Sequence, residues 1–318
     1  MRKTRIVALA GGVGGAKLAH GLARIDAEGL AVIVNTGDDF VHVGLNISPD
    51  IDTVLYTLGG IANRAQGWGV EGESWAFMDQ LARLGGPDWF RLGDRDVALH
   101  ALRGERLRRG ERLTAIVADL AGALGIASAI LPMSDTPVPT IVSTPQGDLP
   151  FQDYFVRLRC DVPVTGFRFD GIERARPTPE ALAALGSPAL EAIVVCPSNP
   201  YVSIDPILSV PGLREAIGNA GAPIVAVSPI VGGAAIKGPA AKMMRELGHA
   251  ASALGVARRY AGLVDGFVID HADSADAEAI HALGMAVLAT DAIMRDEDGR
   301  ERLARECLDF AGRLGRRT

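Results

Sequence analysis

Short, continuous apolar runs recur along the chain, and stretches with helical spacing lie between them. Residues 6–10, 30–34, 192–196 and 224–227 are unbroken in Val, Ile, Leu and Ala apart from a terminal Cys196. A strand buried on both faces of a parallel sheet needs that pattern, whereas a half-exposed strand would alternate apolar with polar positions. Apolar spacing predicts helices over 17–25, 51–61, 75–84, 95–102, 113–124, 179–185, 213–220, 239–254 and 301–314. Strands alternating with helices give an α/β fold around a mainly parallel sheet, with helices on both faces.

Each predicted strand runs into a polar, glycine-bearing or proline-bearing turn: Gly11-Gly12, Asn35-Thr36-Gly37-Asp38-Asp39, Pro197-Ser198-Asn199-Pro200 and Ser228-Pro229. In an open parallel sheet these turns meet at the carboxyl edge, where ligands bind. The stretch 131–179 departs from the pattern. Pro132, Pro137, Pro139, Pro145, Pro150 and Pro163 punctuate short alternating segments there, which predicts an antiparallel excursion. The expected organisation is one domain over 1–318, with its α/β core in 1–130 and 190–318 and a smaller subdomain inserted at about 131–189.

Composition narrows the function classes. Among 318 residues, 48% are hydrophobic and 22% charged, as in compact globular chains, and glycine is enriched at 38. Net charge is −6, with no Lys/Arg block long enough to track a phosphate backbone, so nucleic acid is not an expected partner. The most basic stretch, 103–112, is interrupted by Glu105, Glu111 and glycines and reads as the solvated end of a helix. No apolar stretch reaches the ~18 residues of a membrane span. Glycines and Lys17 interrupt the early apolar run before a signal-peptide core forms. Cys160, Cys196 and Cys307 form no C-x-x-C pair and are odd in number, which predicts free thiols and a cytoplasmic setting.

Four constellations offer chemistry. The glycine loop at 10–18 joins the first strand to the first helix, where backbone N–H groups and the helix dipole favour anions. It is neither a Walker A loop nor a dinucleotide fingerprint, because Lys17 has the wrong neighbours for the first and stands at the third glycine position of the second. The same glycines would also serve a turn that lets helix and strand pack closely. Asp38, Asp39, Asp50 and Asp52 fall within fifteen residues, a supply of hard oxygen ligands for Mg²⁺ beside a phosphate loop, although Asp50 or Asp52 could instead cap a helix. Trp68, Trp75 and Trp89 precede Arg91 and Leu92-Gly93-Asp94-Arg95-Asp96, a composition suited to stacking on a flat ring or to a local core. Ser198 and Asn199, with Gly232, Gly233, Lys237 and Gly238 just before Pro239, offer a second anion-binding edge. The six histidines show no metal spacing and no adjacent nucleophile.

Jointly, GGVGGAKL (11–18), NTGDD (35–39), SPDIDTVLYTLGG (48–60), LGDRD (92–96), LPMSDTPVPT (131–140), FQDYFV (151–156), PSNPYVSIDPILSVPG (197–212) and AVSPIVGGAAIKGPAAKMM (226–244) resemble the 2-phospho-L-lactate transferase family of coenzyme F420 biosynthesis nearly end to end. The resemblance implies a Rossmann-like fold, a homodimer and a transferase of phosphorus-containing groups. Its acceptor would be the deazaflavin FO, attacked through the ribityl hydroxyl. Its donor would be a guanosine diphosphate-activated three-carbon acid, and GMP would leave with Mg²⁺ as cofactor. It further implies that Asp52 and Arg91 contact FO, that Asp38, Asp39 and Asp50 hold the metal, and that Asp50 or Asp52 takes the acceptor proton. Gly12, Gly14, Gly15, Lys17, Ser198, Asn199 and the 232–238 loop would surround the donor. Gly-Val-Gly-Gly-Ala-Lys replaces the Gly-Thr-Gly-Thr-Pro-Lys of many archaeal members, so phospholactate, phosphoenolpyruvate and 3-phosphoglycerate all stay open as the transferred group. Two rivals remain: a sugar-nucleotide-binding regulator of the gluconeogenesis factor type, and a nicotinamide-dependent oxidoreductase, which the broken fingerprint at Lys17 disfavours.

Overall fold

The computed structural model describes residues 3–317. Its centre is a seven-stranded parallel sheet of β1 (Ile6–Ala10), β2 (Leu30–Val34), β3 (Ala129–Pro132), β4 (Ala192–Val195), β5 (Ile224–Val227), β6 (Gly266–Asp270) and β7 (Ala286–Thr290), in the spatial order β7-β6-β5-β4-β1-β2-β3. Chain direction across the sheet reverses between β1 and β4, which pair in register from Ile6 opposite Ala192. The crevice outside the carboxyl ends of those two strands is therefore the topological switch point.

Strand residues alternate between two cores, as the two-residue period of a strand requires. Val7, Leu9, Ile33, Ile193 and Val195 face one, where the helices Pro179–Leu185, Leu213–Gly218 and Ala253–Tyr260 pack. Ala8, Ala10, Val32, Val34 and Val194 face the other, beneath α1 (Gly12–Asp26), α2 (Pro49–Leu58), Leu113–Ala123 and Glu297–Leu314. Helices thus cover both faces, the doubly wound arrangement that the apolar runs implied. Helix α1 begins at Gly12, five residues ahead of the helical spacing, because the turn from β1 is tight enough to start the helix inside the glycines. The span 239–254 is two helices, Ala240–Glu246 and Ala253–Tyr260, interrupted where Gly248 takes φ +77°. Three sheet strands, β3, β6 and β7, have no counterpart among the predicted runs.

Between β3 and β4 the chain forms an antiparallel sheet in which Thr140–Thr144 lies between Gly147–Pro150 and Gly166–Phe169. Val142, Phe151 and Tyr154 join the same apolar cluster as β1 and β4, so this sheet's inner face is built into the main core. All three cysteines are buried free thiols. Among the described residues no helix is long and apolar enough to cross a membrane.

Candidate active site

The turns after β1 and β4 are fastened to each other at the switch point. The Gly11 N–H donates to Ser198 Oγ (3.0 Å), and the Gly12 N–H donates to Asp50 Oδ1 (2.7 Å). A Cβ at Gly14 would lie 2.4 Å from the Pro197 carbonyl oxygen, and one at Gly15 would lie 2.5 Å from Ser198 Oγ. Separations below 3.0 Å are not tolerated by real side chains, so these two glycines serve loop-to-loop contact. Gly12 is required for its own φ of +63°. Asp50 does not cap its own helix: it sits in the first turn of α2 and sends its carboxylate to the start of α1.

Asn35, at the end of β2, holds two aspartates together. Its amide nitrogen donates to Asp38 Oδ1 (3.1 Å), Asp50 Oδ2 (2.8 Å) and the Val202 carbonyl (3.0 Å), and its oxygen accepts the Gly37 N–H (2.7 Å). Two π-helical turns complete the frame, Pro200–Ile204 supplying the Val202 carbonyl while Gln152, just before Asp153–Arg157, donates to the Asp38 carbonyl (3.2 Å). Burial pushes the Asp38 carboxyl well above its ordinary range, and the neighbouring Asp50 adds to the effect. Burial likewise raises Asp50 to about 6, against the hydrogen bonds from Asn35 and Gly12. Two buried carboxylates this close favour a shared proton or a cation.

Among the described residues no group of three or more His, Cys, Asp or Glu side chains is arranged as a metal cage. Mg²⁺ needs no such cage, since one or two carboxylates with water and substrate phosphates suffice, and the Asp38–Asp50 pair fits that requirement. Asp39, expected as a third ligand, faces another partner set. Its Oδ2 accepts from Ser48 Oγ (2.7 Å), Oδ1 is buried without a hydrogen bond, and burial raises its carboxyl well above the usual value.

Asp52 points away from Asp50. Two helical positions apart means a rotation of about 200°, and on that side Asp52 meets Arg103. The guanidinium holds the carboxylate with two bonds, Nη1 to Oδ2 at 3.1 Å and Nη2 to Oδ1. Arg103 has 0% exposure, which corrects the reading of 103–112 as wholly solvated. Burial works against its charge, yet Asp52 outweighs burial and its proton affinity stays raised. His100 Nδ1 lies 3.6 Å from Asp52, and burial lowers its pKa to about 4, so the ring is neutral at neutral pH. No positional signal marks Arg103 in the sequence, because a buried arginine ten residues along a charged helix looks like its solvated neighbours.

Asp96 closes this polar cluster, buried with Oδ1 unpartnered and its pKa raised by burial from 3.8 to about 6. A raised carboxyl makes the folded state bind more protons than the unfolded chain, so it costs stability as pH climbs from about 4 through 6. Asp96→Asn should therefore leave stability unchanged below about pH 4 and gain on the order of 2–3 kcal/mol at pH 8. Urea unfolding of both proteins at the two pH values checks this; equal stability at pH 8 would refute the assignment.

The LGDRD segment is reciprocal helix capping. Asp94 accepts from the N–H groups of Ala76 (3.1 Å) and Phe77 (2.9 Å), while Glu73 accepts from those of Arg95 (2.9 Å) and Asp96 (3.0 Å). Arg91 is left free of both aspartates and stacks 4.3 Å above the Trp75 ring, which meets Trp68 edge-on at 6.2 Å. Trp89 belongs to a separate set with Phe40, His42 and Phe90. The tryptophan window is thus two aromatic groups, one of them carrying a cation.

Of the remaining donor-side residues, Asn199 accepts the Tyr201 N–H (3.0 Å) and lies beside Met243. Gly232, Gly233 and Gly238 all have φ between +56° and +78°, and the Gly232 N–H donates to Asp273. Lys237 extends from this loop toward Gly67, and Lys17 Nζ donates to the Met294 carbonyl (3.2 Å).

The family model described as 2-phospho-L-lactate transferase CofD matches residues 6–306. The chain belongs to this family. It is a transferase of the F420 biosynthesis type, and it is 44% identical over 315 residues to a phosphoenolpyruvate transferase of Streptomyces griseus, covering 96% of this chain and 98% of that one. A 2-phospho-L-lactate transferase of Methanosarcina mazei is 39% identical over 300 residues, covering 94% and 98%. The fold is shared with a Bacillus halodurans protein solved by X-ray crystallography, at TM-score 0.65 and 16% identity over 96% of this CofD-family chain and 99% of the other.

Proposed function

We propose that this CofD-family transferase moves the phosphoenolpyruvyl group from a guanosine diphosphate-activated donor to the ribityl hydroxyl of FO. The hydroxyl oxygen forms a bond to the phosphorus that carries the three-carbon acid, the bond from that phosphorus to the GMP oxygen breaks, and the hydroxyl proton passes to a carboxylate. The observation that carries the reading is the Asn35 clamp: it presents the Asp38 and Asp50 carboxylates at the switch point, with Asp50 tied directly to the first turn of α1. Mg²⁺ bound there would neutralise developing phosphate charge, which is the main demand of phosphoryl-type transfer.

The residues divide the work. Asp38, with Asp50 beside it, would hold the ion. Of the two aspartates considered for the proton, Asp52 is bidentate on Arg103, which leaves Asp50, held near 6, as the acceptor. Arg91 on Trp75 offers a cation and a ring edge to the deazaflavin. The choice of acid rests on similarity, since the Streptomyces phosphoenolpyruvate transferases at 44% and 43% stand above the phospholactate enzyme at 39%.

Incubating the protein with FO, Mg²⁺ and each of the three activated acids, with products followed by mass spectrometry, tests the proposal. Stoichiometric GMP and an FO adduct with the enolpyruvyl donor is the expected result. Adduct formation with the lactyl or glyceryl donor alone would change the acid, and no product with any donor would overturn the transferase reading.

A further inference from the structure

Four basic side chains converge beside α1 with almost nothing to offset them. Lys17 Nζ has a single acceptor, the Met294 carbonyl. Arg300 Nε is buried without a hydrogen-bond partner, as is His20 Nδ1. A Cβ at Gly67 would fall 2.5 Å from Lys237 Nζ, which places that ammonium group against the 63–69 turn. Among the described residues no carboxylate pairs with Lys17, Lys237 or Arg300, although the neighbouring Arg24 and Arg64 are neutralised by Glu297 and Glu301. Arg300 is not a mobile surface residue: its carbonyl lies so close to α1 that a Cβ at Gly21 would sit 2.1 Å from it, so the helix Glu297–Leu314 is pinned there.

Like charges brought together under partial burial cost free energy unless a counter-charge joins them. The mutual repulsion is visible in proton affinities: burial lowers that of Lys17, and Arg300 and Lys237 lower it further. His20 is lowered by burial and then by Arg300. A single carboxylate would leave most of that charge unmatched, whereas a phosphate chain carries two to three negative charges over a few ångströms. The cluster also lies on the helix whose first turn is held by Asp50 and Ser198.

We propose that Lys17, Arg300 and Lys237 form a receptor for a diphosphate, with Arg300 as a donor-binding residue outside every sequence motif. As a receptor for the donor's own diphosphate it rests on the transferase reading above. Because the site lacks an internal counter-charge, it should be destabilising when empty and stabilising when filled.

The test compares the wild type with Arg300→Gln and Arg300→Lys by calorimetry and thermal melting, using GDP, GMP and inorganic pyrophosphate. Expected are an Arg300→Gln protein that melts no lower than wild type without ligand, a GDP Kd raised roughly tenfold or more, a smaller effect on GMP, and substantial recovery in Arg300→Lys. Unchanged GDP affinity in Arg300→Gln while Lys17→Gln loses it would overturn the role of Arg300. A lower melting temperature with unchanged GDP affinity would show a structural role and overturn it equally. Arg300-dependent binding of pyrophosphate without any binding of GDP would keep the anion receptor and sink its assignment to a guanosine donor. A wild type that binds none of the three would overturn the receptor.

Discussion

Asn35→Ala is expected to lower kcat/KM by roughly two to three orders of magnitude in an otherwise folded protein. The amide nitrogen is the bond donor shared by the Asp38 and Asp50 carboxylates, and it also ties them to the Val202 carbonyl. Each charge-assisted bond is worth about 1.5–3 kcal/mol, so losing two corresponds to a factor of about 10²–10³ if both are held for the transition state. Without the bridge, Asp38 and Asp50 repel at close range under full burial, and either one swings out or both take up protons. Asn35→Asp should be worse, since it adds a third negative charge. Steady-state kinetics over a Mg²⁺ titration, with melting curves in parallel, separates site damage from unfolding. Near-normal turnover in Asn35→Ala would mean that the pair has no part in the transfer.

Arg103→Met should destabilise the fold by about 3–5 kcal/mol, the usual cost of leaving one member of a buried ion pair unpaired. Arg103 is fully buried, and Asp52, Asp39 and the Tyr56 hydroxyl all depend on its charge. Removing both charges is different. Arg103→Met with Asp52→Leu replaces the pair by apolar groups of similar size, and such exchanges are often neutral or stabilising, so most of the lost stability should return. Activity then gives an independent reading. If Asp52 contacts the acceptor, the double variant folds but binds FO poorly; if Asp52 only anchors Arg103, FO binding returns with stability. Urea unfolding and FO fluorescence titration read the two effects, and a single variant as stable as wild type would remove the ion pair from any structural role.

The strands β1, β2, β4 and β5 were legible because a strand buried on both faces leaves an uninterrupted apolar run, and they coincide with the predicted segments to within one residue. β3 and β7 were hidden for a related reason. β3, at one edge, begins with the half-buried Ala129 and ends in a proline, while β7, at the other, is half-buried over Ala286–Ala289. β6 is fully buried, but it opens on Gly266, whose missing side chain makes room for Phe310 and Leu314 and also weakens the strand signal.

The site was legible in its loops and not in its pairings. Local chemistry marked Gly12, Gly14, Gly15, Asp38 and Asp50, because a φ of +63° or a close loop contact admits only glycine and a strand-end aspartate has no helix to cap. Whether Asp50 would join Asp38 or Asp52 depended on helix phase, which turns Asp50 toward Asn35 and Asp52 toward Arg103. The same holds for Asp94, which resembled a ligand beside Arg91 and is a helix cap.

By itself, then, the sequence determined the α/β class, the carboxyl-edge location of the polar turns and the family, since each follows from residue periodicity or contiguous motifs. Only the tertiary structure decided that Asn35 clamps Asp38 to Asp50, that Arg103 is buried against Asp52, and that Lys17, Lys237 and Arg300 meet. These contacts join residues 15 to 283 positions apart in the chain. Their partners are chosen by how helices pack across the sheet, and no local run of residues carries that information.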